Sequence, residues 1–199
     1  MGKVVIDMSM SLDGFIAGLH DSQEQPLGEN GAVLHSWLFN GDMVSKHSTF
    51  FKLTSENRDV LDCSLDSEGA GLTGRRTFDI VGGWGGSPPG GSPMFILTHY
   101  PPEDFMEGDT PFTFVTDGIE SAIKQAKAAA GNKVVGVSGA STAQQCLAAG
   151  LADEIHIHLI PVLLGKGIRL FESLPEQIQL ELMRIVTDMD VTHLFYHVK

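Results

Sequence analysis

Two short stretches carry residue types suited to holding an anion. Gly74-Arg75-Arg76-Thr77 follows a short apolar run, and Val137-Ser138-Gly139-Ala140-Ser141-Thr142 follows another. Each reads as a strand turning into a helix. A helix N-terminus offers free backbone N–H groups and the positive end of the helix dipole, so both turns are candidate phosphate sites. The first adds two guanidinium groups that could grip the 2′-phosphate which separates NADP from NAD. The second adds small residues and hydroxyls where a pyrophosphate could approach the backbone. Neither stretch matches the G-x-G-x-x-G fingerprint, which disfavours an ordinary Rossmann site, and neither reads as a P-loop.

Other residues suggest further chemistry. His156 and His158 share one face of a strand because side chains alternate there. With no third ligand or carboxylate partner in sight, they are expected to be packed and hydrogen-bonded, and no metal is expected. Asp59 and Asp62 lie three residues apart on one helix face, where a carboxyl could supply a proton or simply meet solvent. Trp37 and Trp84 could stack on a flat heteroaromatic substrate or fill the core. Cys63 and Cys146 are the two cysteines, in no Cys-x-x-Cys pair, which fits free thiols in a reducing cytoplasm.

The elements that must position these residues are visible in the pattern of the chain. Lys3 to Met10 reads as a strand broken by Ser11-Leu12-Asp13-Gly14, and 21–31 as a polar loop. His35 to Phe39 reads as a helical turn and Glu56 to Ser67 as an amphipathic helix with Val60, Leu61 and Leu65 on its apolar side. Ala70 to Thr73, Met94 to Thr98, Phe112 to Val115, Lys133 to Val137 and Glu154 to Ile160 read as strands. The glycine-rich 82–93 segment is expected to be irregular. Ile119 to Ala130 is a helix that Thr116 or Asp117 could cap and that Gly131 ends. A further helix runs from the 138–142 turn to Gly150. Gln179 to Thr187 and Val191 to Val198 form an antiparallel hairpin.

The alternation predicts a parallel sheet covered on both faces, made mixed by the hairpin, in one domain over 1–199. The chain is 42% hydrophobic and 19% charged, as a folded globular protein should be. Its formal charge of −12 opposes nucleic acid and anionic membranes as partners. No stretch approaches the roughly 18 apolar residues of a membrane span, and Asp7 interrupts the first apolar run before a signal-peptide core could form.

Taken in order, Ser9 to Ala17, Gly74 to Thr77, Ser138-Gly139-Ala140, Leu151 to Glu154 and Pro161 to Gly165 resemble the reductase domain of riboflavin biosynthesis. That domain belongs to the dihydrofolate reductase superfamily. His35 to Phe39, Leu97-Thr98-His99 and Gly118 to Ala122 resemble its stand-alone members of unassigned substrate. The resemblance covers nearly the whole chain. It implies a mixed, largely parallel sheet flanked by helices, with NADPH across the strand ends and a homodimer as the assembly.

By motif match, Ala17 and the Asp13-Gly14 turn would approach the nicotinamide, and Gly74, Arg75, Arg76 and Thr77 the adenosine phosphates. Leu97 and Thr98 would flank the adenine ribose, and Ser138, Gly139, Ala140, Ser141 and Thr142 the pyrophosphate. The family commonly has Gly-Gly where this chain has Gly139-Ala140. Its carboxylate-bearing helix corresponds to the one holding Asp59 and Asp62. The zinc deaminase elements His-x-Glu and Pro-Cys-x-x-Cys are absent. The implied activity is an NADPH-dependent reduction of a pterin- or pyrimidine-like substrate, similar to that of 5-amino-6-(5-phosphoribosylamino)uracil reductase. The alternative is a nucleotide- or ligand-binding protein that kept the fold without turnover.

Overall fold

A computed structural model describes residues 2–103, 111–172 and 174–199. The chain opens with β1 (Val4–Ser11) and a short β2 (Phe15–Ala17), then a 3₁₀ turn over Gly31–Leu38. Next come α1 (Ser55–Ser67), β3 (Glu68–Gly74), α2 (Arg75–Ile80), β4 (Met94–Leu97) and β5 (Phe112–Val115). They are followed by α3 (Ile119–Ala130), β6 (Val134–Val137), α4 (Ala140–Ala148) and β7 (Glu154–Ile160). The chain closes with β8 (Ile168–Arg169), β9 (Leu180–Asp188) and β10 (Val191–Val198).

Eight strands form one sheet in the order β5-β4-β3-β6-β1-β7-β10-β9. Neighbours are parallel from β5 to β7, and β10 runs antiparallel to both β7 and β9. The short β2 and β8 pair antiparallel apart from this sheet, a pairing too brief to announce itself by period.

Alternation along the strands sends side chains to two unlike layers. Val4, Ile6, Ala70, Leu72, Phe95, Val135 and Val137 pack under α3 and α4, against Ala122, Ile123, Ala126, Ala143 and Cys146. On the other face Met94, Ile96 and Phe112 pack with Phe78 of α2, and α1 lies near β9. Thus the helix after β3 and the helix after β6 cover opposite faces, although β3 and β6 are neighbours.

Local chemistry sets the helix ends. Thr54 caps α1, its hydroxyl accepting from Asn57 N at 3.2 Å. The expected caps of α3 do not form. Gly118, at φ +98°, takes the N-cap position without a side-chain bond, leaving Thr116 and Asp117 outside the first turn. Gly131, at φ +63°, ends that helix. In the 82–93 segment the backbone is tightly coiled rather than open. Gly83, Trp84 and Gly85 all have positive φ, and Trp84 tolerates this uncommon state with its ring stacked 6.4 Å from Phe112 and edge-on to Phe78.

Candidate active site

The two candidate anion turns meet. Thr73 Oγ1 donates to Ser138 O at 3.2 Å, and Ser138 N donates to Leu72 O at 3.0 Å. A Cβ on Gly139 would lie 3.0 Å from Thr77 Oγ1 and 3.6 Å from Thr73 Oγ1. One on Gly74 would lie 3.2 Å from Thr142 Oγ1. Gly139 has φ +84°, a conformation L side chains rarely adopt. Its N–H points at Met8 Sδ, 3.4 Å away. Because α2 and α4 leave adjacent strands toward opposite faces, their N-termini flank a topological switch point beyond the strand ends. Open α/β sheets bind ligands at such switch points. Leu97 and Thr98 sit at the end of β4, beside β3, with Thr98 N bonded to Val115 O at 3.0 Å.

Both arginines of the first turn are already engaged. Arg75 Nε donates to Asp79 Oδ1 at 2.7 Å, and its Nη1 reaches Tyr100 O. Arg76 pairs with Asp21, Nε to Oδ2 at 3.1 Å. On the nicotinamide side of the expected site, Gly14 has φ +90° and Ala17 pairs with Ile168. Asp13 braces its own turn: its carboxylate accepts from Ser11 Oγ at 2.6 Å, Leu164 N at 3.1 Å and Gly165 N at 2.7 Å. The Ser11 hydroxyl leads the effects that hold this carboxyl below its ordinary range.

The other sequence candidates lie elsewhere. Asp59, 68% exposed, pairs with Arg58 at 2.8 Å. Asp62 accepts from Ser45 Oγ. Both line an open depression with Lys46, Cys63 and Asp66, on the solvent side of α1. Trp37 is 3% exposed, donates from Nε1 to Ser9 Oγ at 2.9 Å and packs on His158 and His193, so its ring faces protein. Trp84 packs on Phe78 and Phe112.

A polar chain that the sequence only hinted at runs beneath α1. His158 Nε2 meets Asp7 Oδ1 at 2.8 Å, His158 Nδ1 meets His193 Nδ1 at 2.7 Å, and His193 Nε2 meets Asn57 Oδ1 at 2.9 Å. Asn57 Nδ2 donates to Trp37 O at 3.1 Å, so Asn57 Oδ1 is the acceptor and His193 Nε2 the donor. His193 Nδ1 must then accept from His158. Burial, and then the charge of His158, push His193 down to about 3, consistent with a neutral ring. Burial opposes ionisation of Asp7, but His158 and His156 outweigh it and hold the carboxyl far below its ordinary range. Asp7 is therefore an acceptor, and the proton between them sits on His158 Nε2.

Asp7 also lines a cavity of about 220 Å³ with Ser64, Ser67, Glu68, Gly136 and His156. Ser64 Oγ donates to Asp7 Oδ2 at 3.0 Å. Glu68 folds back over Gly136, where a Cβ would lie 2.3 Å from its Oε2. Burial, and then the Asp7 carboxylate, raise Glu68 to about 7. β1 pairs with β6 only through Val4, Val5 and Ile6, so Asp7 is the first residue past the point where these strands part. The signals for this cluster were an acid inside an apolar strand and two histidines in register with it, Asp7 opposite His156 and Ser9 opposite His158. Among the described residues no group of three or more His, Cys, Asp or Glu side chains is arranged to hold a metal.

A largely parallel sheet with helices changing face between β3 and β6, closed by an antiparallel C-terminal hairpin, is the dihydrofolate reductase-like fold. Dihydrofolate reductase from Enterococcus faecalis complexed with NADP(H) superposes over 99% of this chain and 96% of its own, with a TM-score of 0.59 at 14% identity. Residues 2–194 match the family of the RibD C-terminal domain, and the chain belongs to that family. A structure described as a candidate riboflavin biosynthesis protein, from Shewanella sp. PV-4, covers 100% of this chain and 99% of its own at a TM-score of 0.74 and 24% identity. The diaminohydroxyphosphoribosylaminopyrimidine deaminase/5-amino-6-(5-phosphoribosylamino)uracil reductase of Thermotoga maritima aligns over 98% of this chain but 56% of its own, with a TM-score of 0.61 and 12% identity. The uncharacterized protein YyaP of Bacillus subtilis (strain 168) is 25% identical over 98% of this chain and 94% of its own.

Proposed function

We propose that this protein is an NADPH-dependent reductase of a small heterocyclic substrate, pterin- or pyrimidine-like. The observation that carries this is the meeting of the β3–α2 and β6–α4 turns, with Gly139 close against Thr73 and Thr77. The residues suit the cofactor. Gly139 leaves room that a side chain would fill, Ser138, Ser141 and Thr142 offer hydroxyls, and the α4 N-terminus offers free amides for a pyrophosphate. Arg75 and Arg76 would read the 2′-phosphate. Leu97 and Thr98 would flank the adenine ribose, and Gly74 and Thr77 would approach the adenosine phosphates. Ala140 places a methyl group where relatives commonly have none.

Bound at this switch point, NADPH would supply the hydride. Asp13 fixes the 11–14 turn, and with it Gly14 and Ala17, on the nicotinamide side. For the accompanying proton, Asp59 and Asp62 face solvent on α1, and Glu68, though raised to about 7, starts β3 level with Val134, at the end of the sheet away from the Gly74 and Ser138 turns. A second reading, a nucleotide-binding protein without turnover, draws support from the solvent-facing positions of Asp59 and Asp62.

The assembly in this proposal is a homodimer joined through β9. This edge strand leaves Leu180, Leu182, Met183 and Ile185 exposed on its two faces.

Calorimetric titration tests the proposal. NADPH should bind more tightly than NADH by about 1.5–3 kcal/mol, the range of a charged hydrogen bond. Equal affinities would remove the role given to the arginines, and absence of binding would remove the reading altogether. Loss of the reduced-nicotinamide absorbance with candidate pterins and pyrimidines then separates a reductase from a binding protein.

A further inference from the structure

The guanidinium of Arg76 is held by a carboxylate delivered from a distant loop. After β2 the chain doubles back: Gly18 N donates to Leu27 O and Glu29 N to Leu19 O, both at 2.8 Å. Ser22 and Gln25 close the tip with reciprocal backbone bonds of 3.1 and 3.2 Å. That tip fastens to α2. Gln23 Nε2 donates to Asp79 O at 2.8 Å. Asp21 receives Arg76 through both carboxylate oxygens, and its carbonyl takes Nη2 at 3.3 Å. The Asp21 side chain is 8% exposed and that of Arg76 67%, so the carboxylate is covered while the guanidinium keeps an open side.

The sheet order β3-β6-β1 gives this loop its meaning. The loop is a strap that follows β2, which packs beside β1, and is fastened to the helix after β3, a strand two places from β1 in the sheet.

We propose that Asp21 competes with a phosphate group of the cofactor for Arg76, so that binding exchanges one anion for another and unfastens the strap. The inference rests on the cofactor reading above. Two effects act in the same direction. The carboxylate occupies the guanidinium fork that a phosphate would take, and its charge repels the incoming phosphate. A dianionic phosphate displaces it and a weaker anion does not, which makes Asp21 a specificity-determining residue that binds no ligand itself.

The test is calorimetric titration of NADPH into the parent, Asp21→Asn, Arg76→Ala and the double variant, each confirmed folded by circular dichroism. Asp21→Asn should tighten NADPH about tenfold, or 1.4 kcal/mol. In the Arg76→Ala background the same change should gain less than about threefold, because only the repulsion remains to be removed. Asp21→Ser, which removes the carboxylate with a smaller side chain, should shift affinity the same way and guards against a local defect in Asp21→Asn. By hydrogen exchange, amides of residues 19–25 should be protected in the parent, lose protection when NADPH saturates it, and lack protection in Asp21→Asn without ligand. If the parent binds NADPH and neither Asp21 variant binds it more tightly, or if the strap stays protected at saturation, the competition is refuted and the cofactor reading stands. If no form binds NADPH, both fall.

Discussion

Replacing Glu68 by glutamine gives a direct measure of the carboxyl at the centre of the polar cluster. Glu68 lies over Gly136 beside the Asp7 carboxylate, where burial and that neighbouring charge raise it from 4.5 to about 7. In the unfolded chain it loses its proton near 4.5, before the folded protein gives up its own. Stability from this group is thus fully present below 4.5 and is lost as pH rises through about 7. Each pH unit across that interval costs about 1.36 kcal/mol, so the whole span is about 3 kcal/mol, trimmed toward about 2 because solvent reaches part of the side chain. An amide at this position cannot titrate. The stability of Glu68→Gln minus that of the parent should therefore grow by about 2–3 kcal/mol between pH 4 and pH 8. Subtraction cancels the other titrating groups. Urea unfolding of both proteins across that range measures it. A difference that stays flat, or grows toward acid, would refute the placement of Glu68 against Asp7.

Gly139→Asp should weaken NADPH by roughly 2–4 kcal/mol, through lost approach and added charge; titration that finds parental affinity in a folded variant would withdraw the pyrophosphate assignment. Ala140→Gly, measured alongside, should leave binding unchanged or tighten it. Asn57→Leu strands the His193 N–H and the Trp37 carbonyl in the interior, and urea unfolding should show a loss of about 2–4 kcal/mol. His193 is held near 3 against an ordinary 6.5, so stability tied to its neutral ring is present above 6.5 and is lost as pH falls toward 3. His193→Gln should be less stable at pH 7 yet lose less between pH 6.5 and 4 in the same assay. Light scattering should report a dimer at micromolar concentration, and Leu182→Lys with Ile185→Lys should yield a folded monomer.

Most of the frame was legible because its signals are local. The apolar runs at β1, β4, β5 and β7 and the Ala-rich text of α3 each declare their period, and Gly131 marks a helix end by the one conformation it alone takes easily. The pairing of β2 with β8 was not legible, since three residues opposite two carry no period. The cap of α3 was misjudged because Gly118, which offers no side-chain bond, outcompeted two good capping types through backbone shape alone.

At the site, the two anion turns were visible as sequence, but their meeting was not, because nothing local says that β3 and β6 are neighbours. The same holds for partners across the fold. Asp21 lies 55 residues before Arg76, and Asp7 lies 151 before His158. Histidines 156 and 158 were expected to be packed and hydrogen-bonded, and they are: His156 with Glu154 of its own strand, His158 with Asp7 and His193 from other strands.

The bond between two histidine Nδ1 atoms has a consequence for how this chain can vary. From His158 the donors point one way along His193 to Asn57, and the order reverses for none of them, because Asn57 has already spent its amide on Trp37 and Asp7 can only accept. Donation thus runs outward from His158, to Asp7 on one side and through His193 to Asn57 on the other, and β1, β7, β10 and α1 are keyed to that one arrangement. A new side chain at any one position inherits a demand for a donor or an acceptor that most residues cannot meet, whereas replacing the whole set by apolar residues would remove the demand. If these four positions were randomised together and folded clones recovered, the survivors should fall into two groups, one polar throughout and one apolar throughout, with few mixtures between them.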